Sequence, residues 1–383
     1  MHPILRTTAV LALWTSQATA SQNNTAPWPT CIKYSTVTGY FLQDEPDTNA
    51  TTFDYTEHDF GLIKRNYPAT AGLHQLTQWQ KFERQVEALN ADAPLDTVYK
   101  VLFLGRHGEG YHNAAESFYG TPAWNCYWAE LNGNKTVRWA DAHIDAAGIE
   151  QAQIAHNFWK HEIEDQKIPY PQSYYTSPLS RCLQTANITF SGLDLPAYYP
   201  FVPTVKELLR EGISIHTCDH RRSKSYIQEH FPFYNIEAGF TEDDELWDGV
   251  RKETPDAQDA RSKKWLDQVF VTDDHTWISV TSHSGEIAST LRVLRHQEFS
   301  LNTGAVIPVL VKAEFLPESE APSTTSWSWT ASSHCTSPPM TSLQSKDQGC
   351  RCTGSKVTTP LVKVTNTNTA GPTTYRGPYR RAL

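Results

Sequence analysis

The sequence predicts an α/β fold, a three-layer sandwich in which a mostly parallel central sheet is flanked by helices. Short apolar runs typical of buried strands alternate with helical periodicity between residues 100 and 313. Three of these runs end in a segment that combines glycine or serine with arginine or histidine. Such segments are typical of the ligand-binding edge of a parallel sheet.

The predicted elements follow one another in chain order. Apolar and aromatic side chains recur every three or four positions over Leu76–Leu89, which predicts an amphipathic helix. The last predicted strand is placed at a sheet edge, because Pro308 has no backbone N–H to donate. The strands are predicted at Val101–Leu104, Ser173–Thr176, Phe201–Leu209, Trp277–Thr281 and Ala305–Ala313, and the further helices at Ala147–Trp159, Pro178–Phe190, Ala257–Phe270 and Gly285–Arg295.

The chain is predicted to contain one folded domain between two other segments. A positive charge, a short apolar run and the small residues Ala18-Thr-Ala20 predict a secretory signal peptide over residues 1–20. Residues 21–316 are expected to form the domain with an N-terminal extension, and the low-complexity composition of 317–383 predicts a disordered tail. No other segment is apolar enough to cross a membrane, so no membrane association is expected after the signal is removed.

Charge and cysteine content narrow the classes of partner. The net charge of −9 argues against a nucleic-acid partner or an anionic membrane surface. The seven cysteines match no zinc-site spacing, so no metal or other cofactor is predicted. Because seven is an odd number, at least one thiol is left free or pairs between chains. No oligomeric state is predicted.

Four glycosylation sequons support export. Asn23, Asn49, Asn134 and Asn187 each begin an Asn-x-Thr tripeptide. Together with the signal peptide they predict a glycoprotein that is secreted or held in the cell wall, where disulfides are stable. If the signal is not functional, the same chain would stay in the cytoplasm.

The strongest functional signal follows the first strand after residue 100. Val101–Leu104 ends in Gly105-Arg106-His107-Gly108. Arg106 carries a planar, permanently charged guanidinium that matches phosphate oxygens, and a neutral imidazole at His107 is able to act as a nucleophile. Gly108 allows a ligand to approach the backbone closely. The segment therefore predicts chemistry on a phosphoryl group.

Two further segments have the same arrangement. Ser177-Pro-Leu-Ser-Arg181 places an arginine in the first turn of a helix that follows a strand. Thr281-Ser-His283-Ser-Gly285 places a histidine between a buried strand and the next helix. Because the carboxyl ends of parallel strands share one edge of a sheet, we expect both side chains near His107.

The three segments, together with Asn113, resemble the signature of the histidine phosphatase superfamily, in its phosphoglycerate mutase-like branch of the fungal secreted type. The resemblance extends over Lys100–Ala313 and includes order, spacing and strand context. It implies that His107 is the nucleophile and that His283 is a second catalytic histidine in contact with the phosphoryl oxygens. The residues that it implies for phosphate binding are Arg106, Arg181 and Asn113.

The resemblance also implies a carboxylate that protonates the leaving group. Glu211 fits best, because its Leu-x-Glu pattern is followed by glycine, and Glu207 is the alternative. The next loop resembles a segment of fungal family members. Its Arg221 and Arg222 are candidates for the substrate entrance, although the sequence is equally compatible with a loop of solvated charges.

Together these expectations describe a metal-independent phosphatase that hydrolyses small phosphomonoesters through a phosphohistidine on His107. A small phosphorylated substrate is the expected partner. Two alternatives stay open: a phosphotransferase of the phosphoglycerate mutase type, and a non-catalytic secreted protein that binds a phosphorylated ligand on the same fold. Tyr111 and Asn113 after the first motif, and Ser284 after His283, differ from the pattern of the acid phosphatase and phytase branch.

Overall fold

The computed structural model describes residues 31–73, 75–317, 328–339 and 351–358. Its centre is a seven-stranded sheet, in which the strands are numbered in chain order. From one edge to the other they are β1 (Cys31–Thr36), β8 (Val306–Leu316), β2 (Thr97–Arg106), β7 (Trp277–Ser282), β3 (Ser173–Thr176), β4 (Thr204–Val205) and β5 (Asn235–Ile236). The five strands from β2 to β5 are parallel, and β8 is antiparallel to both of its neighbours. The predicted, mostly parallel α/β sandwich is confirmed.

The sheet is buried on both faces. Along β2, Val101 and Phe103 belong to one apolar core cluster, and Leu102 and Leu104 to another, because successive side chains of a strand point to opposite faces. The first cluster includes side chains of α1 (Gln78–Ala91) and α4 (Ala146–His161), and the second includes those of α7 (Pro255–Thr272) and α8 (Ser284–Val293). The other helices are α2 (Tyr111–Tyr119), α3 (Thr121–Cys126), α5 (Ser180–Phe190) and α6 (Lys224–His230). Among the described helices, none is long and apolar enough to span a membrane.

The strand predicted at Phe201–Leu209 is much shorter than expected. Only Thr204–Val205 pair in the sheet. The backbone then curls into a helical turn over Glu207–Leu209, closed by a hydrogen bond from the N–H of Leu209 to the carbonyl oxygen of Lys206 at 3.2 Å. An apolar run alone does not distinguish a strand from a strand followed by a turn.

The predicted edge position of β8 is wrong, because β8 lies between β1 and β2. However, β1 pairs only with residues 311–316. Among the described residues, the first half of β8, which contains Pro308, therefore pairs with β2 on one side and with no strand on the other. The sheet accommodates Pro308, which cannot donate to a ladder, where one side of the strand is unpaired.

The N-terminal extension contributes an element that the sequence does not predict. Its polar, turn-rich composition gives no strand pattern, yet β1 extends the sheet by pairing with the far end of β8. The predicted signal peptide over 1–20 and the sequon at Asn23 lie outside the described residues.

Parts of the predicted tail form strands. β9 (Trp329–Ala331) pairs antiparallel with β6 (Arg251–Glu253), which precedes α7. The expected disorder therefore does not extend to 328–339 or 351–358. We name residues 328–335 the C-terminal arm.

A disulfide closes the end of the C-terminal arm. β10 (Ser333–Cys335) pairs antiparallel with β11 (Lys356–Thr358), and Cys335 is bonded to Cys352. The cysteine spacing did not indicate this pairing. The remaining residues after 317 lie outside the described part of the chain.

Candidate active site

Three neighbouring strands bring the predicted motifs to one edge of the sheet. In the β2–β7 pair, Arg106 lies opposite Ser282, so that His107 and His283, the next residues along each chain segment, leave the sheet side by side. Their ring centroids are 5.1 Å apart. β3 lies on the other side of β7, and α5, which follows it, carries Arg181 in its first turn.

His107 is held in one tautomer and one protonation state. The residue is 1% exposed, and its Nδ1 lies 2.7 Å from the carbonyl oxygen of Gly108. Because a carbonyl oxygen only accepts hydrogen bonds, Nδ1 carries the proton and Nε2 has the free lone pair. Burial, and then the positive charges of Arg181 and Arg106, lower the pKa of His107 well below its usual value. The imidazole is therefore neutral and nucleophilic at Nε2.

His283 has both of its ring nitrogens engaged by protein groups. Nε of Arg181 donates to its Nδ1 at 3.2 Å, so Nε2 carries the proton and donates to the hydroxyl oxygen of Ser177 at 2.7 Å. Burial lowers the pKa of His283 well below its usual value, and Arg181 and His107 add to the effect. The bond to Nε orients the guanidinium of Arg181, and the contact of His283 with phosphoryl oxygens stays a prediction.

Two guanidinium groups line the space beside His107. Arg181 is 1% exposed, donates from Nη1 to the carbonyl oxygen of Cys218 at 2.7 Å, and has its Nη2 3.9 Å from Oδ1 of Asp219. Arg106 donates from Nη1 to the carbonyl oxygen of Leu301 at 2.7 Å, and its buried Nε has no hydrogen-bond partner among the described residues. An unpaired cationic donor next to the nucleophile suits an anionic ligand.

The loop between β2 and α2 is fixed by a helix cap and by close packing. Asn113 accepts the N–H of Gly110 at Oδ1, at 3.0 Å. Its Nδ2 makes no hydrogen bond with the described residues, and Asn113 lines the same space as His107. A Cβ at Gly108 would lie 2.4 Å from the carbonyl oxygen of Gly148, so only glycine fits there. This packing holds His107 at the end of its strand.

Glu211 is the candidate carboxylate that reaches the site. It lines the cavity beside His107, and its charge acts on the guanidinium of Arg106. Its two carboxylate oxygens accept the backbone N–H groups of Gly285 and Glu286 at 3.2 and 3.1 Å, at the start of α8. These bonds fix the carboxylate at the same edge of the sheet as both histidines.

The alternative, Glu207, belongs to an ion-pair network that does not line the cavity. It pairs with Arg210 at 3.0 Å and with Arg221 at 2.7 Å. Arg221 is 2% exposed and also donates to several backbone carbonyl oxygens. The prediction that Arg221 lies at the substrate entrance is therefore wrong, because its side chain is buried and stabilises the loop around it. Arg222 pairs with Asp141 at 3.3 Å and does not line the cavity either.

A cavity of about 580 Å³ opens beside His107. Five predicted site residues line it, and so do several that sequence reasoning missed. The predicted ones are Arg106, His107, Asn113, Arg181 and Glu211, and those missed include His112, Glu116, Asn125, His216, Lys252 and Thr330–Ser333. Two of these residues had a sequence signal: His112 lies between Tyr111 and Asn113, and His216 begins the loop that was expected at the substrate entrance.

His112 adds a third imidazole to the site. Its ring centroid lies 5.4 Å from that of His107, and its buried Nδ1 has no hydrogen-bond partner in the described part of the chain. Burial lowers the pKa of His112 well below its usual value, and Arg181 and His107 lower it further. All three imidazoles are therefore neutral before an anion binds.

One cluster of possible metal ligands borders the cavity. His216, Cys218 and Asp219 bring their ligand atoms within 4.8 Å of one another, which the cysteine spacing did not indicate. However, Oδ2 of Asp219 accepts the hydroxyl of Ser214 at 2.6 Å, and burial raises the pKa of the Cys218 thiol well above its usual value. A protonated thiol and an occupied carboxylate next to Arg181 fit a metal ion poorly.

Comparisons with known proteins agree with this geometry. The family model of the histidine phosphatase superfamily (branch 1) matches residues 102–303. A protein of Arthroderma benhamiae named "Probable phosphoglycerate mutase" is 50% identical over 287 residues, which cover 74% of this chain and 85% of the relative. "Phosphomutase-like protein 3" of Candida albicans is 34% identical over 304 residues, which cover 79% and 85%.

Among solved structures, the ecdysone phosphate phosphatase from Bombix mori, in complex with tungstate, has a TM-score of 0.38 at 16% identity. The match covers 60% of this chain and 98% of that one. The residues that the family model matches include the segments whose ends meet at the cavity, and the chain belongs to the histidine phosphatase superfamily.

Proposed function

We propose that the protein is a metal-independent phosphatase that hydrolyses small phosphomonoesters. The observation that carries the proposal is the tautomer of His107, whose Nδ1 is bonded to the carbonyl oxygen of Gly108 and whose Nε2 is left as a nucleophile. Arg106 and Arg181 flank it in the same cavity, as the binding of a phosphate dianion requires. Asn113 offers its Nδ2 as a further donor.

In the first half of the reaction, Nε2 of His107 attacks phosphorus in line with the departing ester oxygen. The new N–P bond forms as the P–O bond breaks, and the electron pair of that bond stays on the leaving oxygen. Glu211 supplies the proton that converts this oxygen to a hydroxyl. The two arginines stabilise the charge on the transferring phosphoryl group.

In the second half, water attacks the phosphohistidine. Glu211, now a carboxylate, takes a proton from that water while the N–P bond breaks and its electron pair returns to Nε2. Inorganic phosphate leaves, and the neutral His107 is restored. Nδ1 keeps its proton and its bond to Gly108 throughout, so the carbonyl oxygen stabilises the positive charge of the phosphorylated ring.

The relatives' names favour a second candidate, a phosphoglycerate mutase-type phosphotransferase. A mutase must retain its intermediate until the phosphoryl group has been passed back between it and the histidine, whereas a phosphatase must admit water. A cavity of about 580 Å³ leaves room for water beside a three-carbon acid, which supports the phosphatase.

The two candidates are separated by incubating the purified protein with each monophosphoglycerate, with and without bisphosphoglycerate, and with p-nitrophenyl phosphate. Release of inorganic phosphate supports the phosphatase. Interconversion of the two monophosphoglycerates without phosphate release supports the mutase. Vanadate binding with neither activity supports a non-catalytic phosphate-binding protein.

We further propose that the protein acts outside the cytoplasm. The Cys335–Cys352 disulfide is a bond that persists in oxidising compartments. The sequon residues Asn49, Asn134 and Asn187 are exposed, which glycan attachment requires. N-terminal sequencing of the native protein is expected to start near Ser21, and deglycosylation is expected to lower its apparent mass. An intact Met1 without glycan would contradict the proposal.

A further inference from the structure

One wall of the cavity is formed by the C-terminal arm together with β6. Thr330–Ser333 line the cavity together with Lys252. We propose that this wall is a binding subsite for the leaving group, and that it selects sugar or polyol phosphates. The proposal rests on the phosphatase function proposed above, and it names the substrate class of the same site.

The strand register aims Lys252 at this subsite. Lys252 and Thr330 are direct partners in the β6–β9 pair, and directly opposite residues project to the same face of a sheet. The next residue of β6, Glu253, points the other way, because its carboxylate is buried and pairs with Arg261 at 2.8 Å. Since side chains alternate along a strand, anchoring Glu253 in the core turns Lys252 toward the cavity.

The C-terminal arm is held in place at both of its ends. At its start, the hydroxyls of Ser328 and Thr254 lie 2.7 Å apart. At its end, Cys335 is bonded to Cys352, and its Sγ lies 3.7 Å from that of Cys126, a disulfide-bonded residue of α3. Pairing with β6 and packing of β10 against α3 therefore hold the wall on the domain, and the disulfide closes the loop from β10 back to β11.

The polar groups that line the cavity beyond its phosphate end, on the wall and on α2 and α3, favour hydroxyl-rich leaving groups. Arg106 and Arg181 take the phosphate end of the cavity, which leaves the ammonium of Lys252, the carboxylate of Glu116 and the amide of Asn125 for the rest of the substrate. Sugar hydroxyls both donate and accept hydrogen bonds, so they satisfy this mixed set. An alkyl or aryl leaving group would leave these polar groups unpaired.

Kinetics of Lys252→Met on two probes tests the proposal. Glucose 6-phosphate carries a hydroxyl-rich leaving group, and p-nitrophenyl phosphate carries an aromatic one. We expect kcat/KM for glucose 6-phosphate to fall about tenfold more than kcat/KM for p-nitrophenyl phosphate, mainly through KM, because one polar contact is lost. Lys135→Met, an exposed lysine that does not line the cavity, is the matched control and is expected to leave both values unchanged.

The double variant Cys335→Ser/Cys352→Ser tests the wall without altering a lining polar group. Loss of this cross-link is expected to loosen β10 at the end of the arm, and so to reduce the preference for glucose 6-phosphate in the same direction as Lys252→Met. Vanadate affinity, measured on every variant, reports whether the phosphate end is still folded. If the double variant loses vanadate binding, its phosphate end is no longer folded and its kinetics are not used. The kinetics of Lys252→Met, which keeps the disulfide, then decide whether the wall contacts the leaving group.

Three results would overturn the inference. Equal losses on both probes in Lys252→Met, or no loss on either, would show that the wall does not contact the leaving group. A wild-type protein that hydrolyses p-nitrophenyl phosphate but not glucose 6-phosphate would refute the substrate class and leave the phosphatase function standing. A wild-type protein that releases phosphate from neither would refute the phosphatase function itself.

Discussion

His107 and His283 face each other with their ring centroids 5.1 Å apart, and Arg181 donates from Nε to the Nδ1 of His283. The permanent positive charge of Arg181 beside these two buried imidazoles opposes the protonation of either one. The pair is therefore neutral until a phosphate dianion brings compensating negative charge. This arrangement makes the nucleophile available without a separate base.

The protonation state of the site can be observed directly. The pKa values of His107, His112 and His283 all lie well below the usual value, first because of burial and then because of Arg181 or the neighbouring imidazole. In the ligand-free protein, we expect imidazole resonances of these three rings to stay at neutral positions as the pH falls through about 6.5. Nuclear magnetic resonance titration, assigned with single His→Asn variants, checks this. A ring that protonates near its ordinary pKa would contradict the account.

The same pKa shifts predict how stability changes with pH. An unfolded chain protonates its histidines below about pH 6.5, whereas the three buried rings stay neutral in the folded state. The unfolded state then binds more protons, so these rings make the free energy of unfolding fall as pH decreases from about 6.5. Removing one ring in His107→Asn is expected to reduce this slope by up to about 1.4 kcal/mol per pH unit. Urea unfolding at a series of pH values measures it, and identical slopes in both proteins would contradict the prediction.

Substitution of Glu211 is expected to change catalysis, whereas substitution of Glu207 is expected to change stability. Glu211→Gln should slow alkyl phosphate hydrolysis far more than p-nitrophenyl phosphate hydrolysis, because a poor leaving group needs the proton. Glu207→Gln, which weakens pairs with Arg210 and Arg221, should instead lower the free energy of unfolding by about 3 kcal/mol. Steady-state kinetics and denaturant unfolding on both variants give the comparison. Equal losses on both substrates with Glu211→Gln would show that it has a structural role.

Arg181 is expected to dominate anion binding. Arg181→Gln removes a buried charge that is aligned by His283 and by the carbonyl oxygen of Cys218. We expect vanadate affinity to fall by about a hundredfold. Arg222→Gln serves as the control, because Arg222 does not line the cavity. Isothermal titration calorimetry measures both, and similar affinities for the two variants would contradict the assignment.

The central strands of the sheet, and the polar motifs at their carboxyl ends, were predictable from the local sequence pattern. β2 and β7 are apolar runs, each followed by a polar motif, and both properties are visible in a few consecutive residues. β1 was missed because it is a short run, CIKYST, inside a polar, turn-rich stretch, and it pairs with residues 311–316, far along the chain. The C-terminal arm was missed for a similar reason, since its position depends on pairing with β6, about 80 residues earlier in the chain.

Within the site, motifs predicted which residues meet but not how they bond. The order of strands brings His107, Arg181 and His283 together, as the motifs indicated. Burial of Arg221 in a network with Glu207 depends on a loop fold that no short pattern specifies. Lys252 enters the cavity through a strand pair whose partner lies in the C-terminal arm, so its place could not be inferred from its neighbours.

The central claim is that His107 carries the phosphoryl group, and mapping of the trapped phosphate tests it most directly. The protein is mixed with radiolabelled substrate, quenched in alkaline denaturant and digested. We predict an alkali-stable, acid-labile label on the peptide that contains His107, and neither label nor phosphate release in His107→Asn, whose fold is verified by circular dichroism. Phosphate release that continues in His107→Asn, or a label on another residue, would contradict the account.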